Sequence, residues 1–290
     1  MAAERPTPAP RGVLIDIGGG RRLHLVRAGP PGAKPTVLLE AGSFGFSVDW
    51  AVVQARLAAK GIASLAYDRA GLGHSDPGPA PRDATAIADD LEALLAAAGE
   101  DGPFIHVGHS MAGLHAHLFA SRNAEKIVGL VLVDAVTPAS AEGEFAQRVA
   151  AHYVRFSEAA AWAAAKGLLR PLARVGDTIG LPTEPAAQKR WAFANPAHNR
   201  AAADEVLQWE ASAAQGRAIG PLDPAWPVAV VTAGPPLSGP RLAMALPAKA
   251  SRAGHLAHVG KANHANLLGH KYADAIVQAV EHVRTAANRT

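Results

Sequence analysis

The stretch of sequence that decides the fold reads Phe104-Ile105-His106-Val107-Gly108-His109-Ser110-Met111-Ala112-Gly113. An apolar run predicts a strand that ends in a tight turn at Ser110, and the residues after the turn predict a helix. Close packing of such a strand against its helix requires small residues two before and two after the serine, and Gly108 and Ala112 meet that requirement. The turn forces Ser110 into a strained backbone conformation with its hydroxyl exposed above the sheet. Ser110 is therefore the candidate nucleophile.

The composition is that of a folded chain and excludes several kinds of site. Of the 290 residues, 49% are hydrophobic and 18% are charged, which is a globular balance. There is no cysteine, so disulfides, Cys-based zinc sites, iron–sulfur clusters and a Cys nucleophile are excluded. The net charge of +3 is scattered in runs no longer than pairs such as Arg21–Arg22. A nucleic-acid partner is therefore not expected.

The sequence gives no sign of a membrane or secretory segment. No apolar stretch reaches the roughly 18 residues needed to span a bilayer. Residues 1–11 predict an irregular lead-in, without the basic start and apolar block of a secretory signal. We therefore expect a cytoplasmic protein without a membrane span, whose oligomeric state the sequence leaves open.

Strand-like and helix-like runs alternate on both sides of the tight turn at Ser110, which we call the elbow. This alternation predicts a mostly parallel sheet with helices on both faces. Strands are predicted at about residues 13–17, 22–26, 36–40, 62–67, 104–107, 127–133, 227–232 and 255–259, and helices at 50–60, 83–98, 111–121 and 272–285. Between residues 138 and 221 only helical candidates occur, rich in alanine. We therefore predict an α/β core formed by residues 1–137 and 222–290, and a helical cap formed by residues 138–221.

Three segments resemble the α/β-hydrolase superfamily. Residues 37–45, Val-Leu-Leu-Glu-Ala-Gly-Ser-Phe-Gly, resemble the oxyanion loop after the family's third strand, although many members have His-Gly where this chain has Ala41-Gly42. Residues 66–76 resemble the D-x-G-x-G-x-S turn after the fourth strand, and residues 129–135 resemble the sixth strand. At the elbow itself, Ala112 replaces the second glycine of the strict G-x-S-x-G pattern.

The resemblance implies a catalytic serine, an acid and a histidine that follow one another in the chain in that order. Among thirteen histidines, His264 is the one that lies after the last predicted strand and before the last helix, although Asn263 replaces the usual glycine before it. His258 and His270 remain alternatives. His115 and His117, in the helix after the elbow, are expected to pack as partly buried polar residues, and no histidine motif indicates zinc.

The acid is unusual in its position. Most family members carry it after the seventh strand, but residues 228–239 contain no Asp or Glu. A family variant has the acid at the end of the sixth strand, where Asp134 stands, and a histidine partner would offset the cost of burying its carboxylate. The alternative is that Asp134 only caps a loop. Asp68, also at a strand end, is expected to hold backbone amides of residues 71–73.

Catalysis of acyl transfer also needs hydrogen-bond donors for the developing oxyanion. The backbone N–H of Met111, at the start of the elbow helix, is one candidate, and the N–H of Ser43 is the preferred second, ahead of Phe44. His109 is expected to point away from Ser110 on the turn. Candidates for the border of the substrate pocket are Phe44, His109 and Trp162.

The resemblance implies a serine hydrolase that cleaves a small or medium-sized carboxylic ester through an acyl-enzyme, with no cofactor and no metal. The same residues would serve a lactonase, thioesterase, C–C hydrolase, aminopeptidase or perhydrolase, and fold-level likeness does not choose among them. Epoxide hydrolases and haloalkane dehalogenases carry an Asp at the elbow, so Ser110 argues against their chemistry. The rival from another class is a ligand-binding protein of this fold without catalytic activity.

Overall fold

The computed structural model describes residues 8–289, so residues 1–7 of the predicted lead-in lie outside the described residues. Within them the chain forms one eight-stranded sheet with the order β1-β2-β4-β3-β5-β6-β7-β8. The strands are β1 (Val13–Asp16), β2 (Arg22–Ala28), β3 (Thr36–Glu40), β4 (Ser64–Tyr67), β5 (Phe104–His109), β6 (Ile127–Val133), β7 (Val228–Ala233) and β8 (His255–Val259). Strand β2 pairs antiparallel with β1 and with β4, and the other neighbours are parallel. The predicted α/β-hydrolase fold is confirmed.

Helices cover both faces of the sheet. They are α1 (Ala51–Ala59), α2 (Ala84–Ala98), α3 (Ala112–Arg122), α4 (Gly143–Ala165), α5 (Thr183–Ala194), α6 (Pro196–Leu207), α7 (Trp209–Ile219), α8 (Leu246–Ala250) and α9 (Asp274–Ala287). Helices α1 and α9 pack on one face, and α2, α3 and α8 pack on the other, so the hydrophobic core forms two layers. Strands β5 and β6 lie between these layers, which explains their continuous apolar runs.

Between β6 and β7 the described chain is helical, as the sequence predicts. The 3-10 segment Arg170–Ile179 lies between α4 and α5, and single residues separate α5 from α6 and α6 from α7. We call residues 138–221 the helical insertion. Its α7 packs on α3, and its α5 packs on the 3-10 turn Ser47–Trp50, so the insertion contacts the core at the carboxyl ends of the strands.

The parallel strands place the segments that follow them at one edge of the sheet. The turns after β3, β5 and β6 and the loop after β8 therefore converge at that edge. Along residues 8–289, no helix combines the length and apolarity required to cross a bilayer.

Candidate active site

The elbow after β5 holds Ser110 in the left-handed region, with a φ of 57°. The Ser110 N–H donates to the carbonyl of Val133 (3.1 Å), and the Ser110 carbonyl accepts the N–H of Val136 (2.8 Å). These two bonds attach the elbow to the segment that follows β6. The strained serine predicted from the sequence therefore has a specific structural support, since a non-glycine residue at positive φ persists only where its surroundings hold it there.

Glycine is required at three positions around Ser110. A Cβ on Gly108 would lie 2.7 Å from the carbonyl oxygen of Ala112, and a Cβ on Gly113 would collide with the carbonyl oxygen of Val136. A Cβ on Gly42 would lie 2.7 Å from Cβ of Ser110. The helix therefore comes closest to the neighbouring segment 135–136 at Gly113, which explains why an alanine is accepted at position 112.

Asp134 follows β6 and also has a positive φ, of 41°. One carboxylate oxygen accepts the N–H of Ala233 at 3.2 Å, and the other lies 2.7 Å from Nδ1 of His264. The carboxylate is 9% exposed. Burial alone would raise its pKa, but the hydrogen bond and charge of His264, together with the Ala233 amide, lower that pKa below its ordinary value. Asp134 is therefore a buried carboxylate whose ionised form is favoured by a histidine.

His264 stands in the loop after β8, where the side chain of Asn263 shapes the backbone. Asn263 Oδ1 accepts the N–H groups of Ala265 (3.1 Å) and Asn266 (2.8 Å), and Asn266 Oδ1 accepts the N–H of Asn263 at 2.7 Å. This reciprocal side-chain pairing forms the turn where the family more often has glycine. Because Nδ1 of His264 faces Asp134, its Nε2 is the nitrogen available to a serine hydroxyl.

His109 lies against His264 rather than in open solvent. The two imidazole centroids are 4.5 Å apart, and Nε2 of His109 is 3.1 Å from the carbonyl oxygen of His264, which fixes this nitrogen as the donor. Burial, and then the charge of His264, lower the pKa of His109 to about 3. A neutral imidazole next to the serine therefore supports the loop that carries His264.

Residues 42–45 form a tight turn after β3, which we call the oxyanion turn. Its closing hydrogen bond runs from Gly45 N–H to the carbonyl of Gly42 at 3.0 Å, and Phe44, its third residue, has a φ of 58°. Within the described residues, the backbone N–H groups of Ser43, Phe44 and Met111 donate to no protein acceptor. The Ser43 hydroxyl donates to Sδ of Met111 (3.3 Å), so the turn lies beside the first residue of the elbow helix.

Among residues 8–289, only Phe44, Ser110 and Asp134 are non-glycine residues with positive φ. All three lie on the segments that meet at the carboxyl edge of the sheet. Backbone strain of this kind concentrates at functional sites because the surrounding structure must stabilise it. The strain therefore marks the same place as the sequence motifs.

Comparison with known proteins identifies the family. Residues 35–173 match the family model described as alpha/beta hydrolase fold. The chain belongs to the α/β-hydrolase superfamily.

Two curated relatives match parts of this α/β-hydrolase. A probable transporter, efuK, of Hormonema carpetanum is 41% identical over 131 residues, which are 43% of this chain and 18% of the relative. An AB hydrolase superfamily protein of Gibberella zeae is 33% identical over 129 residues, which are 42% of this chain and 40% of the relative. The matches thus span less than half the length of either relative.

Solved α/β-hydrolase structures superpose over nearly the whole chain. The enol-lactonase of Burkholderia xenovorans LB400 has a TM-score of 0.67 at 21% identity, covering 93% of this chain and 98% of its own. A putative epoxide hydrolase of Pseudomonas aeruginosa has a TM-score of 0.70 at 18% identity, covering 95% and 96%. At these identities the likeness shows the fold alone.

The helical insertion of this α/β-hydrolase supplies aromatic residues next to the oxyanion turn. The Phe44 ring lies 6.4 Å from that of Tyr153 and 6.3 Å from that of Phe156, both on α4. Trp209 lies edge-on to Tyr153 at 6.0 Å. Trp162, a predicted pocket residue further along α4, is 60% exposed, and Phe156 is 54% exposed. The sequence analysis named Trp162 and did not name Tyr153, because no local pattern reports which turn of a helix faces the site.

The alternative residues considered from the sequence have other partners. His258 pairs through Nδ1 with the Thr232 hydroxyl at 2.9 Å. We expected Asp68 to hold amides of residues 71–73, but it does not. It accepts the N–H groups of Ser47 (2.8 Å) and His74 (2.9 Å) and pairs with His24 at 2.9 Å. That expectation was wrong because the turn after β4 brings the amide of the next residue, His74, to the carboxylate.

His115 and His117 are buried, as expected from the sequence. Nδ1 of His115 lies 2.8 Å from Glu40, whose other carboxylate oxygen lies 3.1 Å from His106. Burial opposes the ionised form of Glu40, but the two histidines reverse this effect and lower its pKa. His117 bonds the carbonyl of Gly220 at 2.8 Å. Among residues 8–289, no group of three or more His, Cys, Asp and Glu side chains could hold a metal ion.

Proposed function

We propose that this α/β-hydrolase is a serine hydrolase that cleaves a small or medium-sized carboxylic ester through an acyl-enzyme. The observation that carries the proposal is the connection of the strained Ser110 elbow to the buried Asp134, whose carboxylate is 2.7 Å from Nδ1 of His264. A serine, an imidazole and a carboxylate in this chain order form the acyl-transfer arrangement of the fold.

In the proposed first step, Nε2 of His264 removes the proton of the Ser110 hydroxyl as its oxygen attacks the ester carbonyl carbon. Asp134 holds the imidazole in the required tautomer and stabilises the imidazolium. The N–H groups of Met111 and Ser43 donate to the oxyanion. The tetrahedral intermediate collapses, the C–O bond of the ester breaks, and His264 gives its proton to the leaving alcohol.

In the second step, water replaces the alcohol. His264 takes a proton from the water molecule, whose oxygen attacks the acyl carbon. The oxyanion forms again, and its collapse breaks the bond to Ser110, which recovers its proton from His264. The products are a carboxylic acid and the free enzyme, so the protons balance over the cycle.

The surroundings of the site support a substrate with an apolar group. Tyr153, Phe156 and Trp209 give the helical insertion an aromatic side that faces Phe44 of the oxyanion turn. Aromatic side chains in a ligand site bind apolar groups, and a few polar groups set the orientation. The serine hydroxyl, unlike the carboxylate that opens epoxides in other members of the fold, supports acyl transfer.

A p-nitrophenyl ester panel from acetate to decanoate tests the proposal, together with a fluorophosphonate label and peptide mapping. We expect hydrolysis that is fastest for short or medium chains, labelling at Ser110, and loss of both in Ser110→Ala. Ser121→Ala is the matched control, because this serine of α3 donates to the carbonyl of His117 outside the site. Full activity in Ser110→Ala would disprove the mechanism. A folded wild type that neither hydrolyses nor labels would favour a binding protein.

A further inference from the structure

The carbonyl groups of the oxyanion turn and of the preceding residue are held by cationic and imidazole side chains. The guanidinium of Arg69 donates to the carbonyls of Ala41 and Gly42, the latter at 3.0 Å. The carbonyl of Phe44 accepts two further bonds, from Nζ of Lys189 (2.9 Å) and from Nε2 of His198 (3.2 Å). The last two donors belong to the helical insertion, on α5 and α6.

These contacts fix the direction of the free amides. In a trans peptide the C=O and N–H groups point in opposite directions. Holding the carbonyl of Gly42 therefore aims the N–H of Ser43 away from Arg69. Two bonds on the carbonyl of Phe44 hold the 44–45 peptide, and Arg69 holds the 42–43 peptide, so the turn that contains the positive φ of Phe44 is held at both ends. Without such restraint, a phenylalanine would leave this costly conformation.

His198 is built into this position. Its Nδ1 accepts the N–H of Gly73 at 3.0 Å, and its Nε2 donates to Phe44, so one neutral ring joins the oxyanion turn to the turn after β4. The side chain is 3% exposed. Burial, and then the charge of Lys189, lower its pKa to about 3, which keeps this tautomer neutral.

Lys189 and α6 provide the remaining attachments. Nζ of Lys189 also donates to the carboxylate of Asp49 at 2.8 Å, and Asp49 follows the oxyanion turn by four residues in the chain. Glu205, seven residues after His198 on α6, forms a two-point ion pair with Arg69 at 2.9 and 2.8 Å. The same helix thus contacts the turn directly through His198 and indirectly through Arg69.

We propose that Lys189 and His198 are positioning residues, through which the helical insertion holds the oxyanion turn in the conformation that presents its amide donors. The insertion then takes part in forming the active site as well as covering it. This inference rests on the proposed acyl transfer. It adds that transition-state stabilisation by a core loop depends on two side chains of the insertion.

Four variants test the inference in the full-length chain. His198→Leu removes both bonds of the ring, and His198→Gln restores a donor of similar reach. Lys189→Met is combined with Asp49→Asn, because Asp49 is 5% exposed and its buried carboxyl group would otherwise lose its cationic partner. Arg190→Met is the matched control, since this neighbouring cation is outside the turn and pairs with Asp177 at 2.6 Å.

The readouts are kcat, KM, melting temperature and the inhibition constant of a trifluoromethyl ketone, which forms the oxyanion with Ser110. We expect His198→Leu and the Lys189 double variant to lose about tenfold to a hundredfold in kcat, less than the 10²–10³-fold that loss of a donor itself costs. The ketone should lose affinity by the same factor, because a transition-state analogue reports the same interaction. KM should change by less than about threefold, since ground-state binding is spared. His198→Gln should recover part of both losses, and Arg190→Met should match the wild type.

The outcomes separate this inference from the proposed function. If the wild type hydrolyses esters through Ser110 and the variants keep the affinity of the ketone, the positioning role is wrong and the acyl-transfer mechanism stands. The inference is also overturned if kcat falls only in variants whose melting temperature falls with it and His198→Gln restores no activity. If the folded wild type neither turns over esters nor binds the ketone, the proposed function fails and the inference falls with it.

Discussion

Ser110 and Asp134 are joined through the backbone at the carboxyl ends of two adjacent strands. The Ser110 N–H donates to Val133, the residue before the aspartate, and the Ser110 carbonyl accepts the N–H of Val136, two residues after it. Both residues have positive φ values, of 57° and 41°. Because β5 and β6 are parallel neighbours, a carboxylate after β6 lies beside the elbow without an acid from the seventh strand, which contributes only the Ala233 N–H that donates to it. This relationship explains how the chain can lack an acid after β7.

Replacing the carboxylate tests this arrangement. Asp134→Asn should lower kcat about 10³–10⁴-fold with the fold intact, because an amide cannot hold His264 in the required tautomer or stabilise its charge. Ester kinetics and circular dichroism measure the two effects. Asp274→Asn is the control, at a 71% exposed carboxylate on α9. Near-normal turnover in Asp134→Asn would mean that another group orients the imidazole.

The space between the oxyanion turn and the elbow gives a second prediction. In Gly42→Ala the new methyl would lie 2.7 Å from Cβ of Ser110 and 3.1 Å from Nδ1 of His109. The turn must then move, and a displacement of about 1 Å from productive geometry costs roughly a hundredfold in kcat/KM. Gly260→Ala, where the nearest contact is 3.6 Å, should keep its activity. Equal rates for the two variants would show that the turn does not face the serine.

Buried imidazoles predict an acid-sensitive stability. His109 and His198 have folded-state pKa values of about 3, below the ordinary 6.5, so the unfolded chain binds more protons below pH 6.5. Their contribution to the free energy of unfolding is present above pH 6.5 and is lost as the pH falls towards 3, by up to about 1.4 kcal/mol per pH unit for each proton.

Urea unfolding at pH 7, 6 and 5 measures the slope of the free energy of unfolding against pH. His109→Gln should reduce this slope by the equivalent of about one proton, because the variant no longer takes up a proton at position 109 on unfolding. His152→Gln controls for the histidine-to-glutamine substitution itself, because that imidazole is exposed on α4. An unaltered slope in His109→Gln would show that His109 is already protonated in the folded protein.

The buried ion pair between Arg69 and Glu205 gives the last prediction. Their side chains are 3% and 1% exposed. Glu205→Leu should therefore lower the free energy of unfolding by about 3–5 kcal/mol, because it leaves a buried guanidinium without its main partner. The double variant Arg69→Met/Glu205→Leu should recover part of this loss while its esterase activity stays low, since the carbonyls of Ala41 and Gly42 are released. A loss below about 1 kcal/mol in Glu205→Leu would contradict the burial of the pair.

The core and its elbow could be predicted from the sequence because their signals are local. An apolar run, Gly108, Ser110 and a following helical pattern specify a strand–turn–helix unit, and the structure places this unit at β5 and α3. The order of strands and helices around it predicted the sheet. Asp134 was implied by the resemblance to the family variant with an acid after the sixth strand, together with the lack of any acid in residues 228–239.

The sequence by itself determined which segments form strands and which serine stands on the turn, because backbone preferences and hydrophobic periodicity act over a few residues. Only the tertiary structure decided which side chains support that turn. Lys189 and His198 lie more than 140 positions after Phe44 and contact its carbonyl only because α5 and α6 pack over the sheet edge. Hydrogen bonds between such distant residues depend on how helices pack, and no local pattern encodes that packing.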